Sequence, residues 1–214
     1  MSFTRKLLAW YKRNARVLPW RETRNPYAIL VSEFMLQQTQ VSRVLDYYPR
    51  FLKRFPTIAS LARARPKAVM EAWDGLGYYA RARNLHKLAR EVSGQHDGVL
   101  PDSPEDLRTL PGVGQYTAGA VACFAYEKGV PTVDTNVRRV LERVFAPRDV
   151  WELAANLVPK NGKRAWRFNQ ALMELGALVC TARKPKCPEC PVRNDCLAVR
   201  SGERTRSPRA ARPQ

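Results

Sequence analysis

Hydrophobic positions recur at helical spacing along most of the chain, and runs with strict two-residue alternation are scarce. In residues 1–15, for example, Leu7, Leu8 and Tyr11 share one face of a helix and basic residues occupy the other. Glycines and prolines separate the periodic segments. Further helices are predicted over residues 26–55 (two helices), 66–73, 80–93, 104–109, 116–126, 136–145 and 166–179. The pattern therefore predicts an all-α fold.

We expect the helices to form two lobes. We expect residues 24–130 to form one lobe, and residues 1–23 together with 131–200 to form the other. We expect the cleft between the lobes to hold the functional residues. Residues 201–214 have no apolar residue to anchor them to a core, so we expect a disordered basic tail.

The charge of the chain points to a polyanionic partner. Lysine and arginine total 37 against 19 acidic residues, a net charge of +18. Residues 197–214 hold five arginines and Glu203, a net charge of +4, which leaves +14 on the rest. The body itself is basic, and nucleic acid is the first candidate partner, although basic ribosomal or membrane-surface proteins have similar charge.

The termini and the apolar runs bear on location. No apolar run is long enough to cross a bilayer, and the first 20 residues carry alternating charges in place of a signal-peptide core. We therefore expect a soluble, cytoplasmic protein without a membrane partner. No additional apolar stripe suggests a dimer surface, so a monomer is expected.

The segment LPGVG at 110–114 predicts a tight turn between two helices. Gly112 and Gly114 can both take positive φ and leave backbone N–H groups unobstructed. At the positive end of the following helix, those groups would suit a phosphate oxygen. Taken alone, such a turn fits a plain helix connection better than a phosphate site.

The segment VDTNVRRV at 133–140 places a carboxylate at the start of a helix that also carries Arg138 and Arg139. Taken alone, Asp134 fits an ordinary helix N-cap. Asn136 fits a capping or turn residue.

Four of the five cysteines are crowded near the C-terminus. Cys180, Cys187, Cys190 and Cys196 have the spacing C-x6-C-x2-C-x5-C. Four thiolates in a short loop indicate a metal site in a reducing compartment, and the spacing alone allows zinc or an iron–sulfur cluster. Cys123 stands apart and is predicted to be a buried thiol.

Several of these segments together resemble one family. LPGVGQYTAGAV followed by VDTNVRRV resembles the helix-hairpin-helix DNA glycosylases with their Gly/Pro-rich loop and aspartate. SEFMLQQTQV at 32–41, with LPWR at 18–21 and GLGYYARARNLHK at 75–87, is similar to the MutY-like adenine glycosylases. The resemblance covers about residues 5–200. The cysteine spacing also resembles the [4Fe–4S] loop of this family, which implies that cofactor.

The resemblance implies roles for four residues. Asp134, grouped with Asn136, would stabilise the oxocarbenium-like sugar of an extruded nucleotide and orient water. Glu33 would be the general acid that protonates N7 of adenine, a role that requires a carboxyl group kept protonated by burial. Lyase-competent relatives carry a lysine where Tyr116 stands here, so hydrolysis without strand nicking is expected.

The resemblance also implies a set of DNA contacts. Gln37 and Gln38 follow Glu33, and Tyr78 lies in a glycine-flanked turn. Gln38 and Tyr78 are the candidates for a wedge that fills the stack after a base is extruded. Trp20, Arg21 and Glu174 match positions that line the base pocket.

Taken together, the resemblance implies a monofunctional base-excision DNA glycosylase. Its partner would be double-stranded DNA with a mismatched or damaged pair, most simply adenine opposite 8-oxoguanine or guanine. MutY-like enzymes usually continue into a C-terminal domain that recognises 8-oxoguanine, and this sequence stops at Gln214. A thymine/uracil glycosylase acting on mismatches with guanine is an alternative, as is a non-catalytic, redox-sensing DNA-binding iron–sulfur module.

Overall fold

A computed structural model describes residues 2–202, and this part of the chain consists of helices and loops without a β-strand. The predicted all-α class is confirmed. The α-helices are α1 (Phe3–Asn14), α2 (Pro26–Leu36), α3 (Val41–Arg54), α4 (Ile58–Arg63), α5 (Pro66–Trp73), α6 (Ala80–Gln95), α7 (Pro104–Leu107), α8 (Gln115–Tyr126), α9 (Thr135–Phe145), α10 (Val150–Leu157), α11 (Gly162–Leu178) and α12 (Leu197–Arg200). Short 3₁₀ helices span Pro19–Arg21, Cys187–Glu189 and Arg193–Asp195.

The hydrophobic pattern does not reveal α4, α10 or α12, which are short. Side-chain caps satisfy backbone N–H groups in the first turn of two of these helices. Thr57 and Ser60 form a reciprocal capping box at α4, and Asp149 accepts the backbone N–H bonds of Trp151 and Glu152 at α10. Within residues 2–202, none of the helices has the length and hydropathy that a bilayer span requires.

The chain divides into two compact units. The hairpin unit is Val17–Tyr126, and the cysteine unit comprises the residues up to Arg16 together with those from Glu127 onward. The predicted first boundary at 23/24 thus lies seven residues too late. The reason is that Trp20 is 7% exposed and packs edge-on against Tyr48 of α3, within the hairpin unit. The predicted disordered tail falls, from residue 203 onward, outside the described residues.

Helix α2 is the centre of the hairpin unit. Nine consecutive residues, Tyr27–Met35, are buried, because α2 packs against α3, α6 and α8. Asn25 caps its first turn by accepting the N–H of Ala28 at 3.0 Å, and Pro26 occupies the first helical position. A helix apolar all round is expected only where neighbours cover every face.

The cysteine unit is organised around α11. Helices α1 and α9 pack against α11, and α9 also contacts α10 and α12. The α1 helix is fastened by an edge-on contact between Phe3 and Phe145, with ring centroids 5.0 Å apart. Lys6 also forms an ion pair with Asp195 at 2.8 Å, which ties α1 to the loop that carries the last two cysteines.

Candidate functional site

Glu33 is a buried carboxyl group on the central helix of the hairpin unit. Glu33 is 4% exposed, and its neighbours in the chain, Ser32 and Phe34, are buried as well. Acidic residues are seldom buried unless a function or a partner holds them there. The position of Glu33 is therefore incompatible with an ordinary surface helix residue.

Two loops on the hairpin unit present exposed side chains from strained backbone. The first wedge loop (residues 37–40) joins α2 to α3, and the second wedge loop (residues 74–79) joins α5 to α6. Gln38 has φ +55° and Tyr78 has φ +47°, in the left-handed region that favours glycine. Gln38 is exposed and Tyr78 is 58% exposed. The side chains of both wedge candidates, Gln38 and Tyr78, are thus exposed on the surface of the hairpin unit. The side chain of Gln37 is half-buried.

Trp20 and Arg21 lie in the 3₁₀ turn that precedes α2. Trp20 is buried with its ring 5.5 Å from that of Tyr48, and Arg21 is half-buried. Trp20 therefore contributes to the packing of the hairpin unit, and contact of either residue with a base remains a prediction.

The LPGVG turn connects α7 to α8 and packs against α2. Gly112 has φ +77°, and a Cβ atom there would lie 2.8 Å from Asn84 Cβ and 3.0 Å from a ring carbon of Phe34. Gly112 thus serves a left-handed turn and a close approach at once. The prediction of positive φ is wrong for Gly114, because that residue lies at the start of α8 and its carbonyl accepts the N–H of Ala118 at 3.0 Å. Gly114 is exposed, with open space around it, and half-buried Tyr116 follows in the first turn of α8.

Asp134 in the cysteine unit is indeed the N-cap of α9. One carboxylate oxygen accepts the N–H of Val137 at 2.7 Å, and the other accepts a hydrogen bond from Asn136 Nδ2 at 2.8 Å. Burial raises the pKa of Asp134 above its ordinary value, while these two hydrogen bonds and the charge of Arg139 lower it. Both oxygens are thereby oriented, as a fixed negative charge requires.

Arg139 continues this hydrogen-bonded chain toward the cysteines. Its Nη2 donates to Asn136 Oδ1 at 2.8 Å and to the Gly176 carbonyl at 2.7 Å, and its Nε donates to the Cys180 carbonyl at 2.8 Å. A Cβ atom on Gly176 would lie 2.7 Å from Asn136 Cβ, so glycine allows α11 to approach the start of α9. Asp134 and Cys180 are therefore joined through two side chains.

Cys180, Cys187, Cys190 and Cys196 line one pocket in the cysteine unit. Its remaining walls are mainly apolar and include Val140, Leu175 and Val192. Burial raises the pKa of the Cys190 thiol to about 11. Binding of a metal centre would reverse this shift, because metals bind the thiolate.

Two family models match the chain. One, described as the HhH-GPD superfamily base excision DNA repair protein, matches residues 31–158. The other, the iron-sulfur binding domain of endonuclease III, matches residues 180–196. This chain belongs to the HhH-GPD superfamily of base excision DNA repair proteins.

Relatives within the superfamily include adenine DNA glycosylases. The chain is 51% identical over 197 residues to the adenine DNA glycosylase of Mycobacterium tuberculosis (strain CDC 1551 / Oshkosh), covering 87% of this chain and 64% of that protein. It is 44% identical over 216 residues to that of Homo sapiens, covering 92% and 39%. The chain therefore spans less than two thirds of the length of these relatives.

A solved structure of a thermostable thymine-DNA glycosylase is also similar to this HhH-GPD chain. The TM-score is 0.87 at 32% identity, covering 93% of this chain and 95% of the other. Because the overlay extends over nearly the whole of both chains, the all-α architecture is that of the superfamily.

The cysteine pocket fits the [4Fe–4S] cluster that the match to the iron-sulfur binding domain of endonuclease III implies. Among residues 2–202, no three His, Cys, Asp or Glu side chains are close enough to hold a single metal ion. A cluster binds each cysteine through a different iron, so four ligands around one pocket suit it without converging on a point. The predicted [4Fe–4S] cofactor is confirmed, and Cys180, Cys187, Cys190 and Cys196 would hold it.

Glu174 is fully buried in α11 of the cysteine unit. Its carboxylate accepts hydrogen bonds from Arg16 Nε at 2.5 Å and from the Arg16 backbone N–H at 3.2 Å. This ion pair fastens the end of α1 to α11. The predicted contact of Glu174 with a base remains a prediction.

The sequence analysis assigned no role to three arginines that organise these sites. Arg81 bridges the two wedge loops, and Arg139 joins Asn136 to Cys180. Arg143 is 5% exposed and donates to the Thr181 and Ala182 carbonyls and, at 3.5 Å, to Cys180 Sγ. The i, i+4 spacing of Arg139 and Arg143 on one helix face was the available signal. Their long-range carbonyl partners are invisible in a sequence.

Proposed function

We propose that this chain is a monofunctional DNA glycosylase that removes adenine from a mismatch with 8-oxoguanine or guanine. The observation that carries the proposal is the burial of Glu33, at 4% exposure, in a segment (SEFMLQQTQV) that resembles adenine glycosylases. The M. tuberculosis and human relatives, which are adenine DNA glycosylases, support the same base.

Glu33 is the proposed general acid. Adenine is a poor leaving group as an anion, and protonation of its N7 during C–N cleavage removes that charge. A carboxyl group can donate this proton near neutral pH only where its surroundings disfavour the charged form. The burial of Glu33 in α2, whose buried residues are mostly apolar, supports that role.

Asp134 is the proposed source of negative charge beside the sugar. Cleavage of the glycosidic bond develops positive charge on the sugar ring, which a fixed carboxylate stabilises. The Val137 N–H and Asn136 hold its two oxygens, so little reorganisation would accompany the reaction. Asn136 thus acts as a positioning residue for Asp134.

The proposed DNA contacts come from the hairpin unit. Exposed backbone at Gly112 and Gly114, at the start of α8, would bind a phosphate. Gln38, which follows Gln37 in the chain, and Tyr78 would enter the base stack, and Trp20 and Arg21 would line the base pocket. The net charge of +18 favours DNA generally. We also propose action as a monomer, in the cytoplasm at the nucleoid.

Water, and not an enzyme amine, is the proposed nucleophile. Tyr116 occupies the position of the lyase lysine and cannot form an imine, so strand nicking is not expected. The cluster would supply a structural tie, since four protein ligands leave no place on it for a reacting water. The cluster would then hold in place a basic surface on the same loop, formed by the exposed side chains of Arg183, Lys184 and Lys186.

The test is base release from a panel of duplexes that contain A:8-oxoG, A:G, T:G or U:G. Release of adenine from the first two, without strand cleavage before alkali treatment, is the expected result. Release of thymine or uracil only would favour the alternative supported by the thymine-DNA glycosylase neighbour. Tight DNA binding with no base released from any duplex would indicate a non-catalytic module.

A further inference from the structure

The Arg81 guanidinium lies between the two wedge loops and bonds to both. Arg81 is 7% exposed at the start of α6. On the side of the first wedge loop, it donates to the carbonyls of Phe34 (3.0 Å), Met35 (2.8 Å) and Gln37, and to Thr39 Oγ1 (3.0 Å). On the side of the second wedge loop, it donates to the carbonyls of Leu76 (3.3 Å), Gly77 (3.1 Å) and Tyr78 (3.4 Å).

These bonds bracket the two strained residues. In the first wedge loop, the bonded Gln37 carbonyl and Thr39 hydroxyl lie on either side of Gln38 in the chain. In the second, the bonded carbonyls of Gly77 and Tyr78 precede and follow the Cα atom of Tyr78. A non-glycine residue in the left-handed region costs about 1–3 kcal/mol and persists only where its surroundings enforce it. Among the contacts described for residues 2–202, Arg81 is the one side chain that bonds to both turns.

The Arg81 side chain also supports the Tyr78 ring. Its guanidinium carbon lies 5.3 Å from the Tyr78 ring centroid and 5.5 Å from that of Trp73, which is fully buried. The exposed tyrosine therefore rests on a cation that is itself fixed to the core. A lysine could supply the charge, but not the planar five-donor geometry that these acceptors require.

We propose that Arg81 is a positioning residue that presents Gln38 and Tyr78 as one preformed wedge for insertion into the DNA base stack. This inference rests on the proposed function. A wedge ordered before binding avoids the entropy loss of ordering two loops on DNA, and that saving offsets part of the unstacking cost. The predicted consequence is that Arg81 governs base extrusion and not the cleavage chemistry.

The first test measures extrusion directly. The target adenine is replaced by 2-aminopurine, whose fluorescence rises when it leaves the stack, and protein is added to saturation. Wild-type protein should give a large rise, and Arg81→Lys a much smaller one at equal occupancy. Arg90→Gln, an exposed arginine on the same helix, is the control and should match the wild type. Thr39→Val, which removes one acceptor without burying a charge, should shift the signal in the same direction by less.

The second test is a double-mutant cycle on the single-turnover rate of adenine release. Arg81→Lys should slow release by about 10- to 100-fold in the wild-type background. In a Gln38→Ala, Tyr78→Ala background, the same change should cost less than about threefold, because the wedge that Arg81 holds is gone. A purely structural role would leave the two effects additive.

The outcomes separate this inference from the proposed function. If wild-type protein releases no adenine, the proposed function fails, and the 2-aminopurine signal still tests the wedge on bound DNA. If Arg81→Lys matches the wild type in fluorescence, or if its effects on rate are additive with loss of the wedge side chains, the inference is overturned. Should Arg81→Lys not fold, Thr39→Val decides by the same criteria.

Discussion

The side chain of Arg139 bonds to the backbone carbonyl of Cys180, with Nε and O 2.8 Å apart, and the same guanidinium bonds to Asn136. A cluster ligand and the partner of Asp134 thus share one cation. Groups that orient metal ligands affect metal affinity or activity about 10- to 100-fold when they are removed.

Replacement of Arg139 should therefore affect both sites. Arg139→Gln is expected to lower the iron content from about four per chain and to slow adenine release about 10- to 100-fold. Iron analysis, visible absorbance and single-turnover rates measure these effects. The control is Arg138→Gln, whose side chain is 48% exposed and pairs with Glu142 at 3.7 Å. Equal iron content and rates in the two variants would refute the link.

Gly112 should be intolerant of any side chain. Gly112→Ala places a Cβ atom 2.8 Å from Asn84 Cβ and requires a left-handed alanine. We expect a loss of about 1–3 kcal/mol in the free energy of unfolding, with weaker DNA binding. Gly94→Ala, in α6 with open space around it, is the matched control and should be neutral or stabilising. Denaturant unfolding of both variants, together with DNA titration, is the measurement.

Asp134→Asn should separate activity from stability. A carboxyl group with a raised pKa binds its proton more tightly in the folded protein, so its contribution to stability decreases as pH rises through its unfolded and folded pKa values. Asparagine can still cap α9. The variant should lose base release, and its free energy of unfolding relative to the wild type should increase from about pH 4 to neutral pH.

The control for this experiment is Asp149→Asn, at the exposed N-cap of α10. Base release should be retained in this variant. A relative stability of Asp134→Asn that decreases toward neutral pH would contradict the assigned direction of the Asp134 pKa shift.

Much of the fold could be predicted from the spacing of hydrophobic residues. The long helices bury one face or all faces, and the buried positions are hydrophobic in the sequence. Helix α5 begins and ends where the pattern places it, and α4 escapes prediction because its six residues depend on the capping pair Thr57 and Ser60. The unit boundary near residue 16 depends on the packing of Trp20 against Tyr48, which no local pattern reveals.

The residues of the candidate site that would take part in the chemistry could be predicted from their motifs. The residues that position them could not. Glu33, Asp134 and the cysteines stand in recognisable motifs. The positive φ of Gln38 is not expected for a glutamine. Arg81, which is distant in the sequence, donates a hydrogen bond to the Gln37 carbonyl beside it. Hydrogen bonds from a side chain to backbone carbonyls that are distant in the sequence produce no recognisable residue spacing.

The most direct measurement is the single-turnover release of adenine from an A:8-oxoG duplex by Glu33→Gln, alongside its affinity for the same duplex. Glutamine preserves the shape of the side chain but cannot donate the carboxyl proton. The account predicts a rate about 100- to 10,000-fold below that of the wild type, with the dissociation constant for DNA nearly unchanged. A variant that releases adenine at the wild-type rate would contradict it.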